Sequence, residues 1–241
     1  MNTLLLSRDE ITDSRDDSPS VHARVEGERA RHLTDELAVV PGSKIRVGVL
    51  NDSLGRAEVL ASGPGRVDLA LVLDEPPPPK LPLTLVVGLP RPKVARRLLI
   101  DAAAAGVERI VLLGTWRVPK SYWQSPLLTE AKIHEHLLRG LALGGDCVPP
   151  RVDTKRTFKP FAEDELPSLA RDATALVAEP EADRRCGPAP SGPVVLCVGP
   201  ERGFTEFERG ALQAAGCRAV ALGLRTLRVH AAVHVAVGRL F

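Results

Sequence analysis

Four consecutive prolines, Pro76 to Pro79, divide this chain into two segments of different pattern. Each proline fixes φ and removes a backbone donor, so Asp74-Glu75-Pro76-Pro77-Pro78-Pro79-Lys80 joins neither a helix nor a central strand and favours a stiff linker. At 241 residues the chain also exceeds the usual single-domain size. The expected organisation is a first domain over 1–75, a linker over 76–80 and a second domain over 81–241.

The first segment predicts short strands at Lys44–Leu50, Ala57–Leu60 and Arg66–Leu73. Turn signals separate them at Pro41-Gly42, Asn51-Asp52 and Gly63-Pro64-Gly65. Ala30, Leu33, Leu37 and Val40 recur near helical spacing and predict one short helix around Glu28–Val39. A small β-barrel with one helix fits, and residues 10–20 (EITDSRDDSPS) predict a solvated, mobile loop.

Beyond the linker, apolar runs alternate with helical patterns. Strands are expected at Leu83–Leu89, Arg109–Leu113, Ala173–Ala178, Val194–Val198 and Ala219–Leu222. Helices are expected at Lys93–Ala105, Leu127–Leu143, Thr205–Ala215 and Val229–Leu240. Strands apolar on both faces and separated by helices indicate an α/β domain with a mostly parallel sheet covered on both sides.

Composition excludes some functions. No run approaches the ~18 apolar residues of a membrane span, and the start of the chain turns acidic without a signal-peptide core, so a soluble, cytoplasmic protein is expected. A net charge of +2 argues for no nucleic acid by itself, and 25 Arg against 7 Lys fits a GC-rich genome as simply. Cys147, Cys186, Cys197 and Cys217 have no zinc-like spacing, and Cys197 lies in an apolar run that suggests a buried thiol. His230 and His234 lack a third ligand, and His134 and His136 face different sides of a helix, so no metal is expected and solvation or capping is the simpler role for the latter pair.

Two stretches carry the chemistry. Val198-Gly199-Pro200-Glu201-Arg202-Gly203-Phe204-Thr205 leaves a buried strand through a glycine turn and enters a helix, with Thr205 as N-cap and Glu208 at capping-box spacing. Leu222-Gly223-Leu224-Arg225-Thr226-Leu227-Arg228 does the same with two arginines three apart. Open α/β sheets bind ligands at such strand ends, where glycine lets the backbone come close, and two such turns would wall one site. The alternative is a pair of tight connections with solvated arginines.

The pair GPERGF … LGLRTLR resembles the GPEGG … LG.R.LR signature of the 16S rRNA uridine-N3 methyltransferases, the RsmE-type branch of the SPOUT superfamily. Arg31-His32-Leu33 with Pro41-Gly42-Ser43-Lys44-Ile45 is similar to that family's N-terminal element, and Asp101–Gly106-Val107 to its ELGV helix end. The resemblance implies an N-terminal PUA-like β-barrel and a C-terminal SPOUT domain whose C-terminus threads a trefoil knot. It implies S-adenosylmethionine as cofactor, held by the loops after Ala173–Ala178, Val194–Val198 and Ala219–Leu222. The implied cofactor residues are Leu176, Val198, Gly199, Pro200, Glu201, Gly203, Leu222, Gly223, Leu224, Leu227 and Arg228. The implied partners are RNA, namely 16S rRNA or the small ribosomal subunit, and a second copy of the chain. The charge-poor run Val229–Leu240 suits a buried dimer interface, together with Lys93–Ala105.

The chain departs from the family pattern at Arg202, where glycine is usual, at Val229-His230-Ala231 in place of Thr-Glu-Thr, and at Ala142–Asp146 in place of EQ..R. On this reading loss of the N3 proton spreads negative charge over the neighbouring uracil carbonyl oxygens, which a guanidinium stabilises; Arg228 is the first candidate and Arg225 the second. Glu201 could take the proton, brace its loop or face the sulfonium. Methylation at another RNA position and a non-catalytic RNA-binding role are the alternatives.

Overall fold

In the first part of the chain strands bury alternate side chains, and in the second part they bury both faces; this one difference organises the fold. The computed structural model describes residues 2–13, 21–188 and 191–241. Two units result, one made of Met1–Pro78 with Leu141–Pro149 and the other of Pro79–Gly140 with Pro150–Phe241.

The first unit holds β1 (Leu4–Leu6), β2 (Ile11–Asp13), β3 (Val21–Glu26), α1 (Gly27–Arg31), β4 (Lys44–Val49), β5 (Leu54–Gly63) and β6 (Arg66–Glu75). Its sheet runs β1-β4-β5-β6-β3-β2, antiparallel except for the β1–β4 pair. Leu6, Val25, Val47, Val67 and Leu69 form its core with Ala30 and Leu33 from the helical segment. That helix is shorter than expected: α1 passes into a wider turn over His32–Glu36, and Ala38 then takes a positive φ of 49°. The turn swings Leu37 and Val40 outward, 45% and 60% exposed, and puts Val39 into the core instead. Of the expected loop over 10–20, Ile11–Asp13 is paired as β2 with Val21–Ala23, and residues 14–20 lie outside the described residues.

The second unit is an α/β fold. In chain order it holds β7 (Leu81–Gly88), α2 (Pro92–Ala104), β8 (Val107–Leu113), α3 (Glu130–Gly144, which passes into the first unit at Leu141), β9 (Arg151–Lys155), α4 (Phe158–Pro160), α5 (Leu166–Ala170), β10 (Thr174–Ala178), β11 (Val194–Val198), α6 (Glu206–Ala214), β12 (Arg218–Val220) and α7 (Val229–Leu240). All six strands are parallel, in the order β12-β10-β11-β7-β8-β9. Period two explains the continuous apolar runs. Leu83, Leu85, Leu196 and Val198 face one core, with α2 and α7, while Val86, Val195 and Cys197 face the other, with Phe161, Phe204 and Leu212.

Helix α2 begins with Pro92 at its first turn and buries Ala95, Leu98, Leu99, Ala102 and Ala103, the stripe expected of a helix lying on a sheet. Helix α7 owes its low charge to the same cause, since Val229, Ala232, Val233, Ala236 and Leu240 are buried within this chain. Among the described residues no helix is long and apolar enough to cross a membrane.

Candidate functional site

Strand β7 is where the chain's path through the sheet reverses: its sequence successor β8 lies on one side and β11 on the other. In open parallel sheets the crevice at such a point, outside the carboxyl ends of the strands, is the usual ligand site. The loops after β7 and β11 meet there closely. A Cβ on Gly88 would lie 2.5 Å from Cδ of Pro200 and 2.7 Å from its nitrogen, so only glycine fits. Glu201 completes the junction, its Oε1 accepting from the Arg91 backbone N–H at 2.9 Å and from the Arg91 Nε at 3.3 Å. Of the three roles open to Glu201, its geometry is that of a brace between two loops.

A cleft of about 1080 Å³ opens beside this junction, within the second unit. Val198, Gly199, Pro200, Glu201 and Gly203 line it from the β11 loop. Leu222, Gly223, Arg225, Leu227 and Arg228 line it from the loop leading to α7. Two residues expected here do not line the cleft with their side chains. Leu176 sits within β10, 5% exposed and packed in the core, and Leu224 points outward, 86% exposed. The first loop instead contributes Ala178 and Glu179, at and just beyond the strand end, where the backbone leaves the sheet.

Charge is concentrated here far beyond the net +2: nine arginine and lysine side chains and three glutamates line the cleft. Arg91, Arg96, Arg97 and Arg117 come from segments that sequence reasoning did not connect with the glycine turns. The Arg117 guanidinium donates to the carbonyls of Arg202 and Phe204, holding the β11 loop in shape. Arg228 is the N-cap residue of α7 and makes no side-chain capping bond. Burial pushes the Glu179 carboxyl above its ordinary range; Arg209 pulls it back and Glu181 adds to the rise.

The residues present suit an adenosine-bearing cofactor. A Cβ on Gly223 would meet no protein atom within 4 Å, so this wall is open rather than filled. Among the described residues nothing accepts a hydrogen bond from the backbone N–H of Leu222, Gly223 or Leu227, which leaves main-chain donors for a planar heterocycle. Carboxylates and guanidinium groups on the same walls match a ligand carrying both positive and negative charge.

His234 and His136 have structural settings, whereas His230 lines the cleft with its Nδ1 buried and unpartnered among the described residues. His234 donates from Nδ1 to the His230 carbonyl at 2.8 Å and stands 3.6 Å from Asp101 on α2. His136 is buried rather than solvated, 6% exposed, and burial lowers its pKa. Among the described residues no group of three or more His, Cys, Asp or Glu side chains is placed to hold a metal ion. All four cysteines are buried and unbridged.

The RNA methyltransferase domain family matches residues 77–240. A ribosomal RNA small subunit methyltransferase E of Treponema pallidum is 31% identical over 83% of this chain and 77% of its own length. That of Mycobacterium bovis is 29% identical over 90% and 84% respectively. Among solved structures, the ribosomal RNA small subunit methyltransferase E of Neisseria gonorrhoeae bound to S-adenosyl methionine superposes with a TM-score of 0.73 at 23% identity, over 99% of this chain and 95% of that one.

Proposed function

The chain belongs to the RNA methyltransferase domain family, alongside the ribosomal RNA small subunit methyltransferases E, and from that membership we propose that it methylates 16S rRNA of the small ribosomal subunit at N3 of a uridine, using S-adenosylmethionine. One observation carries the reading for this chain's own residues. The cleft at the switch point combines an open glycine wall, unpaired main-chain donors and a dense set of arginines.

When bound, the cofactor supplies a methyl group already activated by its sulfonium, so the protein's task is positioning and electrostatics. Main-chain groups at Leu222, Gly223 and Leu227 hold the heterocycle, and the turn from Gly199 to Gly203 holds the amino-acid end. Arg228 stabilises the negative charge of the deprotonated uracil, with Arg225 beside it. Glu179 is the cleft carboxylate suited to accept the N3 proton, because a raised pKa makes it the better base.

The finer features of the family complete the proposal. The six-stranded sheet of the first unit serves as a PUA-like RNA-binding barrel, and the path from β12 into α7 threads a trefoil knot. Two copies pair through the outer faces of α2 and α7, where Ala231, Val235 and Val237 stay partly exposed. A cytoplasmic setting agrees with four unbridged thiols.

The deciding experiment transfers labelled methyl groups to small ribosomal subunits and analyses the digested nucleosides by mass spectrometry. Label in 3-methyluridine is expected. Label in a 2′-O-methyl nucleoside would move the reaction to ribose, and no transfer at all would favour a binding role.

A further inference from the structure

The chain holds only five Phe, two Trp and one Tyr, and burial is the ordinary fate of so few aromatic side chains. Phe158, Phe161 and Phe204 follow that rule, at 9%, 1% and 1% exposure. Trp116 and Phe207 break it furthest, at 87% and 66% against 49% for Phe241, and both line the same shallow, mainly apolar cleft of about 740 Å³ with Arg156 and Lys159.

Their exposure is built rather than incidental. The Trp116 backbone N–H donates to Glu208 Oε1 at 2.7 Å, and Glu208 is 2% exposed. The other oxygen of the same carboxylate accepts from the Thr205 N–H at 2.8 Å and closes the capping box of α6. Phe207 lies in the first turn of that helix. One buried carboxylate therefore fixes the backbones that carry both rings. In the segment that carries Trp116, Gly114 lies against the Arg156 carbonyl, where a Cβ would stand at 2.1 Å, and the Arg156 guanidinium lies 5.7 Å from the centre of the Trp123 ring.

Exposed rings held on a stiff frame, with cations at the edge, have the chemistry of a platform for unpaired nucleobases: the rings stack on a base and the cations meet its phosphates. The platform also adjoins the proposed methyl-transfer cleft. Arg117, the neighbour of Trp116, holds the carbonyls of Arg202 and Phe204, and the β11 loop runs directly into Thr205–Glu208. We infer that Trp116 and Phe207 stack an unpaired base of the RNA strand that presents its target to the cleft, with Arg156 and Lys159 on the adjoining phosphates. The inference rests on the RNA methyltransferase reading, and the occupant is single-stranded RNA rather than a protein.

Two measurements test it. In a Trp123→Phe variant Trp116 is the remaining indole, and its fluorescence is titrated with a short unstructured oligoribonucleotide. Saturable quenching, weakened by added salt, is expected. Separately, Trp116→Ala and Phe207→Ala should each raise KM for the RNA about tenfold, from the loss of one stacked base. Cofactor affinity, kcat and the melting temperature should hold, and Trp116→Tyr should recover most of the loss. Absent quenching together with unchanged KM overturns the inference while leaving methyl transfer intact. Unchanged RNA affinity with a lower solution mass in Trp116→Ala would also overturn it, assigning the surface to self-association. Quenching in a protein that methylates no RNA would support the platform and sink the enzymatic reading alone.

Discussion

Arg228 and Arg117 look alike in the sequence, each an arginine beside a turn, yet their surroundings differ. Arg117 is engaged by two carbonyls, whereas Arg228 lines the cleft with no side-chain capping bond. Arg228→Ala should therefore spare cofactor affinity and lower the single-turnover rate by about a hundredfold, the ~3 kcal/mol of one lost oxyanion-type donor. Lysine should restore little, because it lacks the planar fork. An alanine variant with normal rate and weaker RNA binding would make Arg228 a phosphate contact. Gly223→Val tests the same loop at its glycine turn: a Cβ there meets no protein atom within 4 Å, so the melt should be unchanged while calorimetry finds cofactor binding lost. Glu179 adds a pH dependence. Its carboxyl is raised by burial and works as a base only when ionised, so the rate should fall as pH drops through that raised pKa, and Glu179→Gln should remove this limb of the profile. At this scale the sequence marked the two glycine turns, because glycine punctuates local chain direction. It could not mark Glu179, Arg91 or Arg97, whose place in the cleft depends on which strands are neighbours.

The unit from β11 into α6 shows how an element is closed by one side chain. Glu208 accepts from the Thr205 N–H, the Thr205 hydroxyl and the Trp116 N–H while almost fully buried. Glu208→Ala should cost about 1 kcal/mol for the cap and a further 1–3 for the orphaned donors, read as a lower denaturation midpoint at unchanged slope. A loss below 1 kcal/mol would mean that water replaces the carboxylate. The capping box and the extent of α7 could be read from the chain, since spacing alone defines them. Other elements escaped for physical reasons. Strand β1 is only three residues long. Strand β9, with the sequence RVDTK, is an edge strand held by the Arg109–Asp153 pair at 2.7 Å as much as by apolar burial. The helical stretch from Phe158 to Ala170 carries two prolines and a run of acids that read as loop, yet it buries Phe158, Phe161 and Leu166.

At the scale of the whole molecule, the four prolines suggest a chain cut once into two self-sufficient parts, but the unit division falls differently. Residues 141–149, expected in the second domain, belong to the first unit. There the Ala142 carbonyl accepts from the Asn2 and Thr3 N–H groups, both at 3.1 Å, and the Cys147 carbonyl accepts from Asn51 at 3.0 Å. The Asn2 side chain reaches the Leu143 carbonyl at 3.0 Å, and Leu141 and Cys147 are fully buried. These are main-chain links between distant parts of the sequence, so no local pattern announces them. A fragment ending at Pro78 would lose three such bonds and the Asn2 side-chain bond, about 4 kcal/mol at ~1 kcal/mol each, before counting the lost apolar cover. Small domains are stable by only about 5–15 kcal/mol, so that loss consumes much of the margin. Residues 1–78 expressed alone should show a broad, low-temperature melt by circular dichroism, and co-expression with residues 79–241 should restore a cooperative transition. The proline boundary predicts the reverse, a fragment as stable alone as in the intact chain. A sharp melt of residues 1–78 at the temperature seen for the full protein would show that residues 141–149 merely rest on a finished fold.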